Sequence, residues 1–281
     1  ENIRAAVQKV LDECGYDAPW ELEWWSVYSA NTLLLDGYRH GRTIFIGDSA
    51  HIVPIFGVRG FNNGVLDGVN IGWKLAWHLA GKADEAILDS YDHERRRATL
   101  DVIEKSEKST QFMTPRTRGF AVMRDAALSL ALDFPFASQF ANPRNMTPYE
   151  YHDSPLTLPD AEAWDAGPPP GAAAPDARLD GAFLMDGFGP GFTVLAFGDV
   201  PGTGLLEEHD LATVLRLPPE GEAADVYGAG DGDAVLVRPD RFIAARWHRA
   251  NGAAIRSAIT RICAGGLQED CLLYTSPSPR D

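Results

Sequence analysis

Residues 41–81, GRTIFIGDSAHIVPIFGVRGFNNGVLDGVNIGWKLAWHLAG, constrain this chain more than any other stretch. A short apolar run rich in β-branched residues, 43–46, has the length of a buried strand and stops at Gly47-Asp48. Ligands of open α/β sheets gather at the carboxyl ends of strands, so an acid there is a candidate ligand contact. A loop punctuated by Pro54, Gly57 and Gly60 follows, and Asn62-Asn63-Gly64 leads into a helical pattern. Leu66, Val69, Trp73, Ala76, Trp77 and Ala80 fall on one stripe at helical spacing, with Asp67, Asn70, Lys74 and His78 off it. Gly81 and Lys82 supply the stop.

Gly64, Gly68 and Gly72 stand four apart, so one side of this helix carries no side chains. An interior glycine costs roughly 1 kcal/mol against alanine, so the row suggests close approach to another backbone or to a flat ligand. The helix also opens straight after a glycine-rich loop. Free N–H groups and a partial positive charge at such an end suit an anion or a developing negative charge.

The run GR-x-I-F-I-G-D-S-A-H-x-x-P, a glycine loop, then F-N-N-G-x-x-D-G-x-N-x-x-W-K-L-A resembles the second flavin-binding motif of the single-component FAD-dependent aromatic-ring monooxygenases. That family includes p-hydroxybenzoate hydroxylase, phenol hydroxylase and the 3-(3-hydroxyphenyl)propionate hydroxylases. The resemblance implies FAD as cofactor, with Asp48 on its ribityl chain, Pro54 and the loop from Gly57 through Arg59, Gly60 and Phe61 lining the flavin ring, and Asn62 and Asn63 at the pyrimidine edge. Relatives often carry Gly-Gln-Gly where this chain reads Val58-Arg59-Gly60. Arg59 is read either as positive charge beside reduced flavin or as a solvent-facing side chain.

The implied fold class is α/β: the C-terminal part of a Rossmann-like, p-hydroxybenzoate hydroxylase-type FAD domain, followed by a thioredoxin-like α/β domain. The division expected along the 281 residues is 1–159 for the flavin and substrate part, with the motif at 41–81 and a helical segment at 82–159. A proline-, alanine- and glycine-rich linker at 160–178 and the thioredoxin-like domain at 179–270 complete it. Residues 271–281, CLLYTSPSPRD, lack periodicity, resemble a translated sequencing adapter, and are expected to lie outside the fold. The start at Glu1, inside a helical pattern, makes a C-terminal fragment of a longer enzyme the expectation. Such a fragment would hold FAD poorly, because the Gly-x-Gly-x-x-Gly phosphate loop would precede it.

Along the chain, 1–16 reads as an amphipathic helix ending at Gly15, and 20–31 alternates as a strand would. Trp24 and Trp25 are expected in the core, with substrate lining as the other reading. The segment Leu88-x-x-Tyr91-x-x-Glu94-Arg95 resembles the family signature after the flavin helix, and Arg95-Arg96-Arg97 reads as a charged helix face rather than a phosphate site. Another amphipathic helix is expected over 120–132. Short strands are expected at 192–197, 213–217, 234–237 and 242–246, the last two as a hairpin around 238–241, with a closing helix at 253–263. Without a Cys-x-x-Cys pair, that domain is expected to be structural or dimer-forming rather than redox-active.

A net charge of −15 disfavours nucleic acid and anionic membranes as partners, and three cysteines without metal spacing read as cytoplasmic and reduced. No metal is expected: Asp67 and Asn70 lie one turn apart, but helix-face polarity accounts for them. His51 is read as a hydrogen-bonded core histidine, and no side chain is assigned as catalytic, since a flavin carries the hard chemistry itself. The resemblance implies reduction of FAD by NAD(P)H, reaction with O2 and hydroxylation of a small aromatic substrate, with a homodimer as candidate assembly. A halogenase or reductase on the same fold, or a non-catalytic interaction module, stands as the alternative.

Overall fold

The computed structural model describes residues 3–26, 31–54, 59–141, 148–179 and 181–266. Contacts divide the chain into two units, residues 1–31 and 32–281. In the first, helix α1 (Ile3–Glu13) closes with Gly15 at φ +74° and the Tyr16 N–H on Leu11 C=O, a helix stop of the kind glycine permits. Trp20 donates its indole N–H to Gln8 at 2.7 Å. Residues 20–26 form no strand, and Trp24 and Trp25 are 80% and 55% exposed. The core reading of both tryptophans is therefore corrected: among the described residues of its unit, this stretch has no strand beside it to cover them.

The second unit begins with paired two-residue strands. β1 (Leu33–Leu34) pairs with a later strand, while β2 (Arg39–His40) pairs with β3 (Thr43–Ile44). Thr43 is exposed and Ile44 half-buried, so the buried strand expected over 43–46 is a short hairpin arm. A strand is buried on both faces only where packed layers cover both, whereas β3, paired with β2, leaves Thr43 exposed. A 3-10 turn, Gly47–Ser49, leads into β4 (His51–Ile52), the partner of β1.

Two long antiparallel-packed partners follow in sequence, α2 (Gly60–Leu79) and α3 (Ala86–Met113), then α4 (Arg118–Asp133) and the single turn α5 (Ser138–Ala141). Helix α4 buries only Ala127, leaving Val122 60% and Leu132 88% exposed. Beyond a small hairpin of β5 (Arg178–Leu179) and β6 (Ala182–Phe183) come β7 (Phe192–Phe197), α6 (Gly204–Glu208), β8 (Ala212–Leu217), α7 (Glu222–Tyr227), β9 (Ala234–Val237), β10 (Ile243–Trp247) and α8 (Gly252–Cys263).

These last four strands form one sheet in the order β10-β9-β7-β8, with β7 parallel to β8 and antiparallel to β9. The run FTVLAF makes β7 the central strand because every position in it is apolar or, at Thr193, small enough to bury. Phe192, Val194 and Ala196 face one core, shared with Ile71, Trp73, Leu88 and Tyr91 of α2 and α3 and with Ile255, Ile259 and Ile262 of α8. Leu195 and Phe197 face a second core, covered by Ala223, Ala224 and Tyr227 of α7. The flavin-motif helices and the sheet thus share one apolar interior. The stretch 160–178 is packed as well: Gly171 N–H bonds Ile243 C=O, Ile243 N–H bonds Ala172 C=O, and Trp164 stacks on His248 with ring centroids 4.1 Å apart.

Candidate functional site

Asp48 sits in the middle of the 3-10 turn, exposed, and Ser49 Oγ closes that turn by donating to Ile46 C=O at 2.7 Å. Gly47 takes φ +55°, and a Cβ added at Gly64 would stand 3.2 Å from Gly47 Cα. Two glycines thus let the turn lie directly on the first turn of α2. The glycine row is only partly explained by close backbone approach, since a Cβ at Gly68 or Gly72 would meet nothing within 4 Å.

A buried carboxylate locks that contact. Asp67 accepts from the Gly47 N–H at 3.0 Å, from Arg95 Nε at 2.7 Å, and lies 2.7 Å from His51 Nε2, which must carry the proton there because a carboxylate only accepts. Burial alone would raise the Asp67 pKa; the His51 bond, the Arg95 charge and the Gly47 N–H outweigh it and hold the carboxyl below its usual value. His51 is 2% exposed, so it stands in the core with an ionic partner.

Helix α2 buries a polar side against α3, while Ile71 and Trp73 enter the apolar core. Asn63, Asp67, Asn70 and Lys74 are buried, while Leu66 and Val69 of the apolar stripe are 43% and 46% exposed. Helix α3 supplies the reason. Its Glu94 takes Lys74 Nζ and Asn70 Nδ2, each at 2.7 Å, and Ser154 Oγ at 2.5 Å. From the β9–β10 turn, Arg238 reaches the same carboxylate with Nη1 at 2.5 Å and Nη2 at 2.8 Å, and also binds Asp240. Burial would raise Glu94, but Arg238 and Lys74 together hold it well below the usual carboxylate range. Burial pushes Lys74 down to about 8 even beside Glu94.

Arg95 does not lie on a charged surface face, as its run of three arginines suggested. It is 1% exposed, on Asp67, on Tyr151 OH at 2.8 Å and on Asn63 Oδ1 at 2.5 Å. Arg96 instead bonds Leu35 C=O at 3.1 Å, and Arg97 pairs with Asp153. Lys74, Glu94, Arg238 and Asp240 were not singled out as one site from sequence. The signal was present in the spacing 63, 67, 70, 74, a polar stripe at the helical period.

The expected flavin residues divide accordingly. Asp48, Gly60, Phe61 and Asn62 cluster at the turn and at the start of α2, with Phe61 81% exposed and Pro54 buried close by in sequence. Arg59 is 7% exposed, which corrects its solvent-facing reading. Asn63 turns inward: its N–H bonds Arg59 C=O at 2.8 Å and its Nδ2 bonds Thr99 Oγ1 at 2.9 Å. These bonds hold the helix start. Gly57 lies outside the described residues, as do Val27, Tyr28 and the tail 271–281.

Comparison with known proteins follows the same outline. Residues 1–106 match the family described as FAD binding domain. A 3-(3-hydroxy-phenyl)propionate/3-hydroxycinnamic acid hydroxylase of Mycolicibacterium vanbaalenii is 31% identical over 250 residues, covering 78% of this chain and 44% of the relative. The Escherichia coli O139:H28 protein of that name is 27% identical over 276 residues, covering 87% and 49%. Among solved structures, the rebeccamycin biosynthetic enzyme RebC with reduced flavin aligns with TM-score 0.67 at 25% identity, over 83% of this chain and 47% of that one. The flavin-dependent monooxygenase PieE, in complex with FAD and substrate, aligns with TM-score 0.72 at 22% identity, over 94% and 55%, which speaks for the fold. The chain spans about half the length of the curated relatives it matches. Its motif, its fold and these matches make it a member of the FAD-dependent aromatic-ring monooxygenases, carrying FAD-binding-domain sequence over residues 1–106.

Proposed function

We propose that this chain supplies the ribityl- and pyrimidine-facing part of a FAD site in an aromatic hydroxylase that uses O2 and NAD(P)H. The observation that carries the reading is the Gly47–Gly64 contact, which sets the Asp48 carboxylate beside the opening turn of α2. The first bond of that helix runs from Asn63 N–H to Arg59 C=O, so the N–H groups of Gly60 and Phe61 precede the helical ladder and point out of its positive end. Asp48 accepts from sugar-chain hydroxyls in this reading. Pro54, Gly57, Arg59, Gly60, Phe61 and Asn62 border the ring. When bound, the flavin supplies the redox and oxygen chemistry.

The residues fit that group: a carboxylate for hydroxyls, a glycine-floored turn for close approach and an electropositive helix end for an anionic pyrimidine edge. Relatives and neighbours called hydroxylases and monooxygenases favour ring hydroxylation over halogenation or reduction. The substrate class is a small phenolic compound. The β7-α6-β8-α7-β9-β10-α8 order supports a thioredoxin-like domain at 179–270 joined by 160–178 to a flavin part at 1–159. A cytoplasmic homodimer is the proposed state; among the described residues no helix is long and apolar enough to cross a membrane.

The test is a fusion of this chain behind the preceding half of the Mycolicibacterium vanbaalenii relative, titrated with FAD by flavin fluorescence. Charge-assisted hydrogen bonds contribute about 1.5–3 kcal/mol, so Asp48→Ala should weaken FAD by roughly one to two orders of magnitude. Unchanged affinity would remove Asp48 from the site. Flavin-dependent gain of one oxygen by a phenolic substrate, followed by mass spectrometry with NADH or NADPH, tests the reaction.

A further inference from the structure

A cavity of about 600 Å³ opens beside the first two turns of α2, on the side that faces the sheet rather than the Gly47 turn. Its size is that of a small-molecule pocket, in the range of about 300–1,000 Å³. Leu66 and Val69, the outward members of the apolar stripe, form one wall, with Val102 of α3, Tyr149 and Phe242 opposite. The polar groups around it are mostly matched: Asp101 pairs with Lys105 at 2.6 Å, Arg95 with Asp67, and Asp240 with Arg238.

Arg241 differs. It also lines the cavity, and its Nη1 is buried with no hydrogen-bond partner among the described residues. A buried guanidinium nitrogen without an acceptor is costly, because its desolvation is not repaid by a bond. The chain accepts a second cost at the same residue: Arg241 takes φ +69°, a left-handed conformation that a long side chain seldom adopts. Its N–H closes the turn on Arg238 C=O at 2.9 Å, its C=O accepts from Ala174 N–H at 2.8 Å, and its Cζ lies 4.9 Å from the Phe188 ring centroid. The two backbone bonds fix the turn that carries Arg241, the Phe188 ring lies beside its guanidinium, and Nη1 is buried without an acceptor among the described residues. Arg59, also on the wall, adds a second cation.

We infer that this cavity is a binding site for a small amphipathic organic anion, an apolar one- or two-ring body bearing a single carboxylate received by Arg241. Its floor shares Asn62 and Asn63 with the opening of α2, so a ligand there touches the flavin-motif helix from behind. Asp48 does not line the cavity, although Arg59 and Asn62 are common to it and to the proposed border of the flavin ring, and the ligand can be titrated without flavin.

The experiment is calorimetric titration of the 281-residue chain, without FAD, with 2-naphthylacetate and with its neutral analogue 2-naphthylacetamide. The carboxylate should bind at least ~10-fold more tightly, the ratio that a charge-assisted bond of about 1.5 kcal/mol gives. Arg241→Asn keeps a residue type that tolerates the left-handed backbone while removing the guanidinium, and should erase the preference for the carboxylate. Val102→Trp fills the apolar end and should abolish binding of both compounds, with circular dichroism checking that each variant is folded. Equal affinity of acid and amide, an unchanged preference in folded Arg241→Asn, undiminished binding in folded Val102→Trp, or no heat at millimolar ligand would each overturn the assignment. Failure of the Asp48 titration would leave it untouched.

Discussion

Two buried carboxylates, Asp67 and Glu94, hold together segments that are far apart in sequence. Glu94 gathers Lys74 of α2, Ser154 and Arg238 of the sheet, all without solvent. Removing one partner of a buried ionic cluster strands the others, at about 3–5 kcal/mol. Glu94→Ala should therefore lower the unfolding free energy by that order in a urea titration, whereas an exposed pair such as Lys108–Glu104 should contribute little when broken. The pH dependence has two arms. Glu94 and Asp67 titrate below their unfolded values, so their stability is present above about pH 4.5 and is lost as pH falls. Lys74 titrates at about 8 against 10.5 when unfolded. Between those values the unfolded chain binds the extra proton, so stability rises with pH. Urea midpoints across pH should show the acid arm flattened in Glu94→Gln and the alkaline rise absent in Lys74→Met. An alkaline rise of the same size in Lys74→Met would locate it elsewhere. None of this cluster was assembled from sequence, because its members stand 2 to 170 residues apart and the helical ones each alone read as helix-face polarity.

At the scale of elements, α2 was legible and its orientation was not. Its start, its stop and its length follow from local chemistry: a glycine loop, a helical stripe and Gly81 at φ +71°. Which face packs depends on a partner, and α3 offers charges rather than an apolar groove. The glycines separate local from long-range information in the same way. Gly64 is needed, since its Cβ would press on Gly47 Cα, whereas Gly68 and Gly72 have open space beside them. Gly68→Ala should leave this chain unchanged or raise its stability by up to about 1 kcal/mol through helix propensity. Gly64→Ala should lower the melting temperature by forcing the Asp48 turn away. Thermal melts of the two variants decide the matter, and a stabilised Gly64→Ala would mean that the turn is not seated as described. The strands of the sheet were read to within one residue because β7 and β9 are short continuous apolar runs between turns. Residues 20–26, the described part of the strand expected over 20–31, form none: alternation marks a strand only where a sheet exists to receive it.

At the scale of the whole molecule, the boundary expected at 160–178 meets a core that does not stop there. Phe192 of β7 makes edge-to-face contacts with Trp73 and Trp77 of α2, with ring centroids 5.8 and 5.1 Å apart, and Tyr91 of α3 belongs to the same cluster as Ile255 and Ile259 of α8. Elements that share one interior lose it together. Residues 32–266 should accordingly unfold in one transition, with tryptophan fluorescence and far-ultraviolet circular dichroism giving the same midpoint. Phe192→Ala, costing about 3–5 kcal/mol, should shift both probes equally. Cys263 supplies an independent reporter on α8, because burial pushes its thiol up to about 12. With Cys14 and Cys271 replaced by serine, labelling of Cys263 by a thiol reagent at neutral pH should be slow in the native chain and should accelerate with the same urea dependence as the optical signals. Rapid labelling under native conditions would show that α8 opens on its own. Two separated optical transitions would instead show that the flavin helices and the sheet fold as independent domains.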